Sequence, residues 1–567
     1  MRVRYVEVPV LIVGGGPTGL AAALSLSDCS VASLLVDKHP STSHHPKATV
    51  VNARTMELLR QWGAADLVER AGIPARDLRC VSWSTSLGGF EIGRLPIELS
   101  EQQIRDARLS SPTLPVMCPQ DVLEPILRSA AETQPATSIR YGQALWSFRQ
   151  DDHGVTATVV DRASGEETKV RAEYMVGCDG RDSTVRRIAG VGLSGAEPLG
   201  DMRNIYFRAD LTHLVAHRMA PLYWIVNPDT PGVIITLNGT DRWLLNVPLD
   251  MQAGERIDDH PPERCLAQVR RAIGDAGVDV ELLGVHGWQM TRLVADRFRH
   301  GRVLLAGDAA HQFPPTGGHG MNSGIQDAHN LAWKLSAVLD GWAGPGLLDS
   351  YEAERRPIAQ LLTSASVGNA AAMRGQLRPP PEIEHDTDEG QAIRDFVAEA
   401  ATGQRGHFVS TGLALGVGYR SSAVLTDPED DVGGEVDEVE HYRPNAAAGH
   451  RAPHIWLLSP GGEAGRSSLD LFRDTLVLLT GPEGDGWVAA ARHVATSLAV
   501  PLRAYVIGRG GAVDELDVDG RFPDQYGLDP MGAVLVRPDG HVLWRAKHGS
   551  DDPAGVLEKV LCEGLDR

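Results

Sequence analysis

Unbroken apolar runs, amphipathic stretches and alternating segments follow one another along the chain. Val8 to Val13 is rich in Val and Ile and stops at Gly14-Gly15-Gly16, which predicts a parallel strand buried on both faces. Leu20 to Leu26 then predicts a helix of small and apolar residues, and Ser33 to Val36 a second buried strand closed by Asp37. Strand, glycine turn, helix and strand in this order make a βαβ unit. Arg54 to Trp62 predicts a helix with Met56, Leu59 and Trp62 on one face and Gly63 as its stop. Gln120 to Ala131 predicts another, with Val122, Leu123, Ile126 and Leu127 inward. Between them, residues 75–110 read as strand-like and irregular.

Residues 141–176 alternate apolar and polar positions, as a β-meander does. From Ile205 to Val247 come strand-like runs carrying Tyr206, Phe207, Tyr223, Trp224 and Trp243, which predict a mostly antiparallel sheet. Val303 to Ala306 is a further buried strand ending at Gly307-Asp308, and Ile325 to Leu339 is a clear amphipathic helix. Residues 376–390 are rich in Pro and acid and read as a linker. Residues 427–440 hold eight carboxylates and read as a solvated loop. After Pro444, short apolar strands at 475–479, 502–507 and 532–536 alternate with helical stretches, which predicts a separate α/β module.

Charge and cysteine usage narrow the function classes. The chain has 567 residues, 54 Lys+Arg against 74 Asp+Glu, and a net charge of −20. That balance argues against nucleic acid or an anionic membrane as partner. None of the six cysteines lies within four residues of another, so CxxC redox pairs and zinc-ribbon spacing are absent. Free thiols, no signal-peptide pattern and no apolar run of spanning length predict a cytoplasmic, soluble chain.

Three motifs carry chemistry. Gly14-x-Gly16-x-x-Gly19 follows a strand and opens a helix, with Asp37 at the end of the next strand. Gly14 permits the tight turn, Gly16 lets backbone approach a pyrophosphate, and Gly19 lets helix and strand pack closely. The helix start offers free N–H groups to phosphates, and Asp37 can accept from a ribose. The motif predicts dinucleotide binding without separating FAD from NAD. The second motif is the run from Gly177 through Asp179 and Gly180 to Arg186, where Asp179 and Arg186 have a plain alternative as a structural ion pair. The third runs from Gly301 through Gly307-Asp308 and His311 to Pro314-Pro315-Thr316-Gly317-Gly318-His319-Gly320-Met321-Asn322. It puts a carboxylate at the C-terminal edge of a parallel strand, where α/β sheets hold ligands, and its glycines let backbone approach a flat ligand. The helix that follows can stabilise negative charge at its start. His311 and His319 lack a third ligand at metal-binding spacing, so no metal site is predicted. Trp224, Trp243 and Trp288 are candidates for an aromatic substrate pocket, although Trp is usually core. GxSxG, HExxH and P-loop motifs are absent.

Together these motifs resemble the FAD-dependent aromatic hydroxylases related to para-hydroxybenzoate hydroxylase, the class A flavoprotein monooxygenases. Lys47-Ala48-Thr49 to Glu57 and Cys118-Pro119-Gln120 to Glu124 also fit, and the likeness covers roughly residues 8–370. More weakly, residues 451–454 and 532–540 resemble the thioredoxin-like C-terminal domain of phenol and aromatic-polyketide hydroxylases. The resemblance implies an α/β fold: a Rossmann-like FAD-binding domain with an inserted β-sheet substrate domain, plus a thioredoxin-like C-terminal domain. The segments would be 1–75, 105–180 and 290–370 for FAD, 76–104 and 181–289 for substrate, 371–443 as a helical or linker connection, and 444–567 at the C-terminus.

By resemblance, Gly14, Gly16, Pro17, Thr18 and Gly19 hold the FAD pyrophosphate, and Asp37 with Lys38 the adenosine end. Lys47 or Arg54 takes the phosphate-binding place of the family's arginine, Gln120 lies along the cofactor and Asp308 holds the ribityl chain. Pro315, Gly318, Gly320, Met321 and Asn322 wrap the isoalloxazine, and Asp179 serves both FAD and the nicotinamide donor. The implied reaction uses NADPH (or NADH) and O₂ to make a flavin C4a-hydroperoxide, which hydroxylates an aromatic small molecule, a polycyclic polyketide before a simple phenol. Trp224 and Trp288 would touch that substrate, and no catalytic base is named. Baeyer–Villiger insertion with the same flavin and a non-catalytic flavin-binding scaffold are the alternatives. Lacking CxxC, the C-terminal module is left a packing or dimerisation role, a homodimer being the assembly it would serve.

Overall fold

A computed structural model of the chain describes residues 4–250, 254–374, 379–402, 405–426, 439–459, 465–510 and 513–567. The opening βαβ unit nucleates an eight-stranded sheet. Its main order is Arg299–His300, Val303–Leu305, Glu167–Gly177, Arg4–Val13, Ser33–Asp37 and Thr137–Tyr141, with a hairpin of Gln143–Asp151 and Gly154–Asp161 turned back against Glu167–Gly177. The four strands from Val303–Leu305 to Ser33–Asp37 run parallel, and their C-terminal ends fall in register. Val13 pairs with Gly177 and with Val36, and Gly177 pairs with Leu305. After the first strand the chain moves to one side, whereas Glu167–Gly177 lies on the other, so the sheet's topological switch point falls between Val13 and Gly177. The helices Pro17–Asp28 and His319–Leu339 pack on this sheet through Leu20, Leu24, Ile325, Leu331 and Leu335, in one continuous apolar core.

A second eight-stranded sheet runs His311–Gln312, Glu281–Ala295, Leu193–Arg208, Arg242–Pro248, Gly232–Thr236, Leu222–Ile225, Cys80–Ser84 and Glu91–Pro96. Its pairings are antiparallel except that Leu222–Ile225 runs parallel to Cys80–Ser84. One face of its centre packs Phe207, Tyr223, Trp243, Leu245 and the helix Pro262–Ile273 into a core. The last seven strands form a third sheet, with helices Asp485–Ser497 and Pro553–Gly564 sharing one core and Phe522 and Tyr526 in another.

Two stretches differ from their sequence pattern. Residues 101–110, expected to be irregular, form a helix opened by a capping box between Ser100 and Gln103. None of its residues is buried, so the apolar periodicity that announces a packed helix is missing. Of the 376–390 linker, the described residues begin at 379. It gives a turn at Pro381–Glu384 and leads into the helix Asp388–Thr402, whose Val397 and Ala401 pack with Val81 and Trp83 of the strand Cys80–Ser84 in one apolar cluster at that end of the second sheet. Most of the acidic stretch, 427–438, lies outside the described residues.

Candidate active site

Each of the three motifs leaves the C-terminal end of a neighbouring parallel strand, and the register therefore brings them together. Gly14 has φ +112°, and a Cβ there would overlap the Cys178 carbonyl of the second motif. A Cβ at Gly19 would overlap the Gly14 carbonyl, so Gly19 packs behind the turn and does not reach the cavity. Gly16 differs from both: its Cβ would stand in open space, 4.0 Å from Glu124 Oε1. The helix Pro17–Asp28 starts at Gly16 with no side-chain cap, which leaves its first N–H groups for a ligand. Asp37 accepts from the N–H groups of Gly15 and His39, both at 2.6 Å, and so ties the glycine turn to the end of the next strand.

These residues form one end of a cavity of about 1740 Å³. Pro17, Thr18, Lys38, Lys47, Gln120, Asp179, Asp308, Pro315, Gly318, Gly320 and Met321 also line it. Asp308 is open to the cavity but walled by protein. That enclosure raises its carboxyl above the usual range, against the pull of His311, Lys47 and Arg181. The Asp308 turn is held from behind. Asp327 accepts from the Gly307 N–H at 3.0 Å, from His311 Nε2 at 2.6 Å and from Arg355 Nε at 2.7 Å, all fully buried. His311 is thereby committed to Asp327 and stacks on Phe313. Among the described residues, no group of three or more His, Cys, Asp or Glu is placed to hold a metal. The helix His319–Leu339 begins at Gly318, φ +68°, again without a side-chain cap.

Two expected cofactor residues face elsewhere. Arg54 is off the cavity. It is 7 % exposed, donates to Glu57 Oε2 at 2.9 Å and to the Asp539 carbonyl at 2.7 Å, and belongs to a buried ion network with the C-terminal sheet. Lys47, the other candidate, is exposed on the cavity wall. The Asn322 side chain is also off the cavity: it donates to the Val50 and Gly318 carbonyls and accepts from the Asn52 N–H. It fastens the 50–52 segment to the start of the helix, so its part in shaping the site is indirect.

Asp179 does not pair with Arg186. Its carboxylate accepts from Ser183 Oγ at 2.5 Å and from the N–H groups of Thr184 and Val185, at the start of the helix Thr184–Ile188. Burial raises its carboxyl despite those bonds. Arg186 donates instead to the carbonyls of Ala309 and Arg181, which joins the second motif to the third.

The other end of the cavity is floored by the second sheet. Register aligns Leu222, Ile235, Leu244, Tyr206 and Gly284 in one row across five strands, and Trp224, Val233, Asn246, Asn204 and His286 in the next. All ten line the cavity. The strands alternate, so Trp243, Tyr223 and Phe207 point into the core on the opposite face. Trp224 and Trp288 therefore lie on the cavity floor, and Trp243, whose Nε1 donates to the Ala209 carbonyl, is core. Sequence reasoning missed Asn204, Asn246 and His286; the period-two alternation could have found them once Trp224 was placed. It also missed Asp327 and Arg355, which no local pattern marks.

A glycine cradle at a parallel-sheet switch point, an open backbone position at Gly16 and an enclosed carboxylate at Asp308 fit a dinucleotide that carries a flat ring. They define the class as an FAD-binding enzyme. Residues 7–366 match the family described as FAD binding domain, and residues 445–567 the family described as aromatic-ring hydroxylase, C-terminal. The chain is similar to a tetracenomycin A2 monooxygenase-dioxygenase of Streptomyces glaucescens, at 39 % identity over 98 % of this chain and 96 % of the relative. It is similar to a 4-methyl-5-nitrocatechol 5-monooxygenase of a Burkholderia species, at 38 % identity over 98 % and 97 %. Its fold matches the crystal structure of the flavin-dependent monooxygenase PieE in complex with FAD and substrate, with a TM-score of 0.90 and 36 % identity over 99 % of both chains. The chain belongs to the FAD-dependent aromatic-ring hydroxylases. Among its described residues no helix is long and apolar enough to cross a membrane.

Proposed function

We propose that this enzyme uses FAD, a reduced nicotinamide and O₂ to hydroxylate a fused-ring aromatic of the polyketide type. The carrying observation is that the glycine cradle and the sheet floor line one continuous cavity. At about 1740 Å³ it is larger than the roughly 300–1,000 Å³ of ordinary ligand pockets, so it has room for a dinucleotide and a broad substrate together.

Gly14, Gly16, Pro17 and Thr18 would hold the pyrophosphate, with Lys47 as the nearby cation, and Asp37 and Lys38 the adenosine end. Asp308 would hold the ribityl chain, and the backbone of Gly318 to Met321 the isoalloxazine. When bound, the flavin supplies electron transfer from the nicotinamide and activation of O₂. The chain's own contribution is placement and charge. The uncapped start of His319–Leu339 favours negative charge on the ring edge beside it. His319, which burial pushes down to about 4, is neutral at working pH and adds no charge of its own. The sheet floor orients the aromatic ring and, with the residues 405–415 that also line the cavity, keeps water from it. Six free cysteines accord with action in the reducing cytoplasm.

The test is NADPH oxidation and O₂ uptake by the purified yellow protein across a panel of polycyclic phenols and quinones, with mass spectrometry of products. The expected product gains one oxygen with its rings intact. A lactone would replace hydroxylation by Baeyer–Villiger insertion, and no ligand-stimulated oxidation would leave a non-catalytic flavin binder.

A further inference from the structure

The middle of the cavity floor carries a polar pair that the sheet itself does not use. Asn204 and Asn246 are register partners on adjacent strands and both face the cavity. Trp288 Nε1 donates to Asn204 Oδ1 at 2.7 Å. An indole nitrogen can only donate, so this bond fixes which end of the amide is which and leaves Asn204 Nδ2 as a donor without a partner. Asn246 is 9 % exposed and makes no side-chain hydrogen bond at either end of its amide; its Oδ1 is buried and unpartnered. A buried amide flanked by Val233 and Leu244 costs stability when unpaired, and an apolar residue would serve the sheet better.

Three strands from Asn204, on the same row, Trp224 Nε1 is also buried and unpartnered. Trp224 and Asn246 are two strands apart, on the order of 10 Å at about 4.8 Å per strand. A single phenol ring does not reach across that span, whereas a flat fused-ring ligand does. With neither end of its amide held by a partner, Asn246 can turn its oxygen to the cavity beside the Asn204 donor, an arrangement that matches a substrate hydroxyl, which both donates and accepts.

We propose that Asn204 and Asn246 together bind a ring hydroxyl of the fused-ring substrate, and so determine which edge of it is turned toward the flavin end of the cavity. The assignment rests on the fused-ring reading above. Trp288 is a positioning residue, because it acts by orienting the Asn204 amide.

The test uses the flavin-loaded full chain and two probes, β-hydroxyanthraquinone and unsubstituted anthraquinone, each titrated against flavin fluorescence. The wild-type protein is expected to bind the hydroxylated probe about tenfold more tightly, the size of one or two buried neutral hydrogen bonds. Asn246→Leu should bring that ratio close to one while the flavin spectrum stays unchanged. Asn204→Asp keeps the acceptor for Trp288 but loses the donor, and should lower the ratio in the same way even if Asn246→Leu folds poorly. A wild-type protein that binds both probes equally, or variants that keep the wild-type ratio, would overturn the asparagine assignment. Binding of neither probe by the wild-type protein would overturn the fused-ring reading and the assignment with it.

Discussion

At the scale of single residues, the three glycines of the first motif do different physical work. Gly14 and Gly19 are demanded by the protein's own backbone, because a Cβ at either would overlap a neighbouring carbonyl. Gly16 is demanded by something else, since its Cβ would meet no protein atom closer than 4.0 Å. Gly16→Val should therefore fold, with an unchanged melting temperature in the flavin-free form, yet purify colourless. Gly14→Val should instead lower the yield of folded protein. Asp308→Ala should also fold and lose flavin during dialysis; full flavin occupancy would remove it from the ribityl site. Asp179→Ala carries a structural cost. Its carboxylate caps a helix start, so about 1 kcal/mol of stability should go with it, read from the urea midpoint. Reduction by NADPH must be compared at matched flavin occupancy.

At the scale of elements, a chain of buried ion pairs ties the FAD-binding sheet to the C-terminal one. Arg451 donates to Glu57 at 2.9 and 2.5 Å, Glu57 also takes Arg54 and Ser111, and Arg54 reaches the Asp539 carbonyl. Arg537 clamps Glu354 at 2.6 and 2.9 Å as well as Asp539, and Lys334 and Asn330 complete the cluster from His319–Leu339. This gives the CxxC-free module a physical role: its arginines brace the helices Ala53–Gln61 and Asp349–Arg374, and its Asp539 accepts from Asn330 of His319–Leu339. Removing one partner of such a pair strands a buried charge. Glu57→Ala should destabilise the protein by about 3–5 kcal/mol, measured by urea unfolding. The double change Glu57→Met with Arg451→Met should cost much less than Glu57→Ala alone, because no unpaired charge remains.

At the scale of the whole molecule, burial of neutral imidazoles sets the acid limit. Burial is the largest cause in each case and lowers His319 and His541 to about 4 and His329 and His454 to about 3, from 6.5. A folded pKa below the unfolded one means that the unfolded chain takes up protons the folded chain refuses. The stability these groups allow is complete above 6.5 and is lost progressively as pH falls from 6.5 toward 4, by up to about 1.4 kcal/mol per pH unit for each fully buried histidine. Asp327 and Glu354, drawn down to about 2 by their cationic partners against the opposing effect of burial, act in a lower window. They stabilise the fold above about 4 and stop doing so as pH falls toward 2. The melting temperature should decline as pH falls below 6.5, ahead of the window of Asp327 and Glu354; the carboxyls that burial raises, Asp28 to about 6 together with Asp179 and Asp308, act in the opposite sense and offset part of that decline. A level profile down to pH 5 would contradict neutral burial of these histidines.

The sequence by itself determined the elements whose signal is local. The Val8–Val13 run, the glycine spacing, Asp37 and Gly307-Asp308 declare buried strands and the turns that end them, because a parallel strand buried on both faces must be apolar throughout and a phosphate turn must lack side chains. The strand-like, aromatic-bearing runs of Ile205–Val247 declared a mostly antiparallel sheet. Only the tertiary structure decided where long polar side chains go. Arg54 and Asn322 sit in motif positions, yet fold away to partners hundreds of residues distant, Asp539 and the Asn52 segment. Asp327 and Arg355 support Asp308 from helix positions that no motif marks. Strand register, a property of paired strands and not of either alone, put Trp224, Asn246, Asn204 and His286 in one row and turned Trp243 to the core.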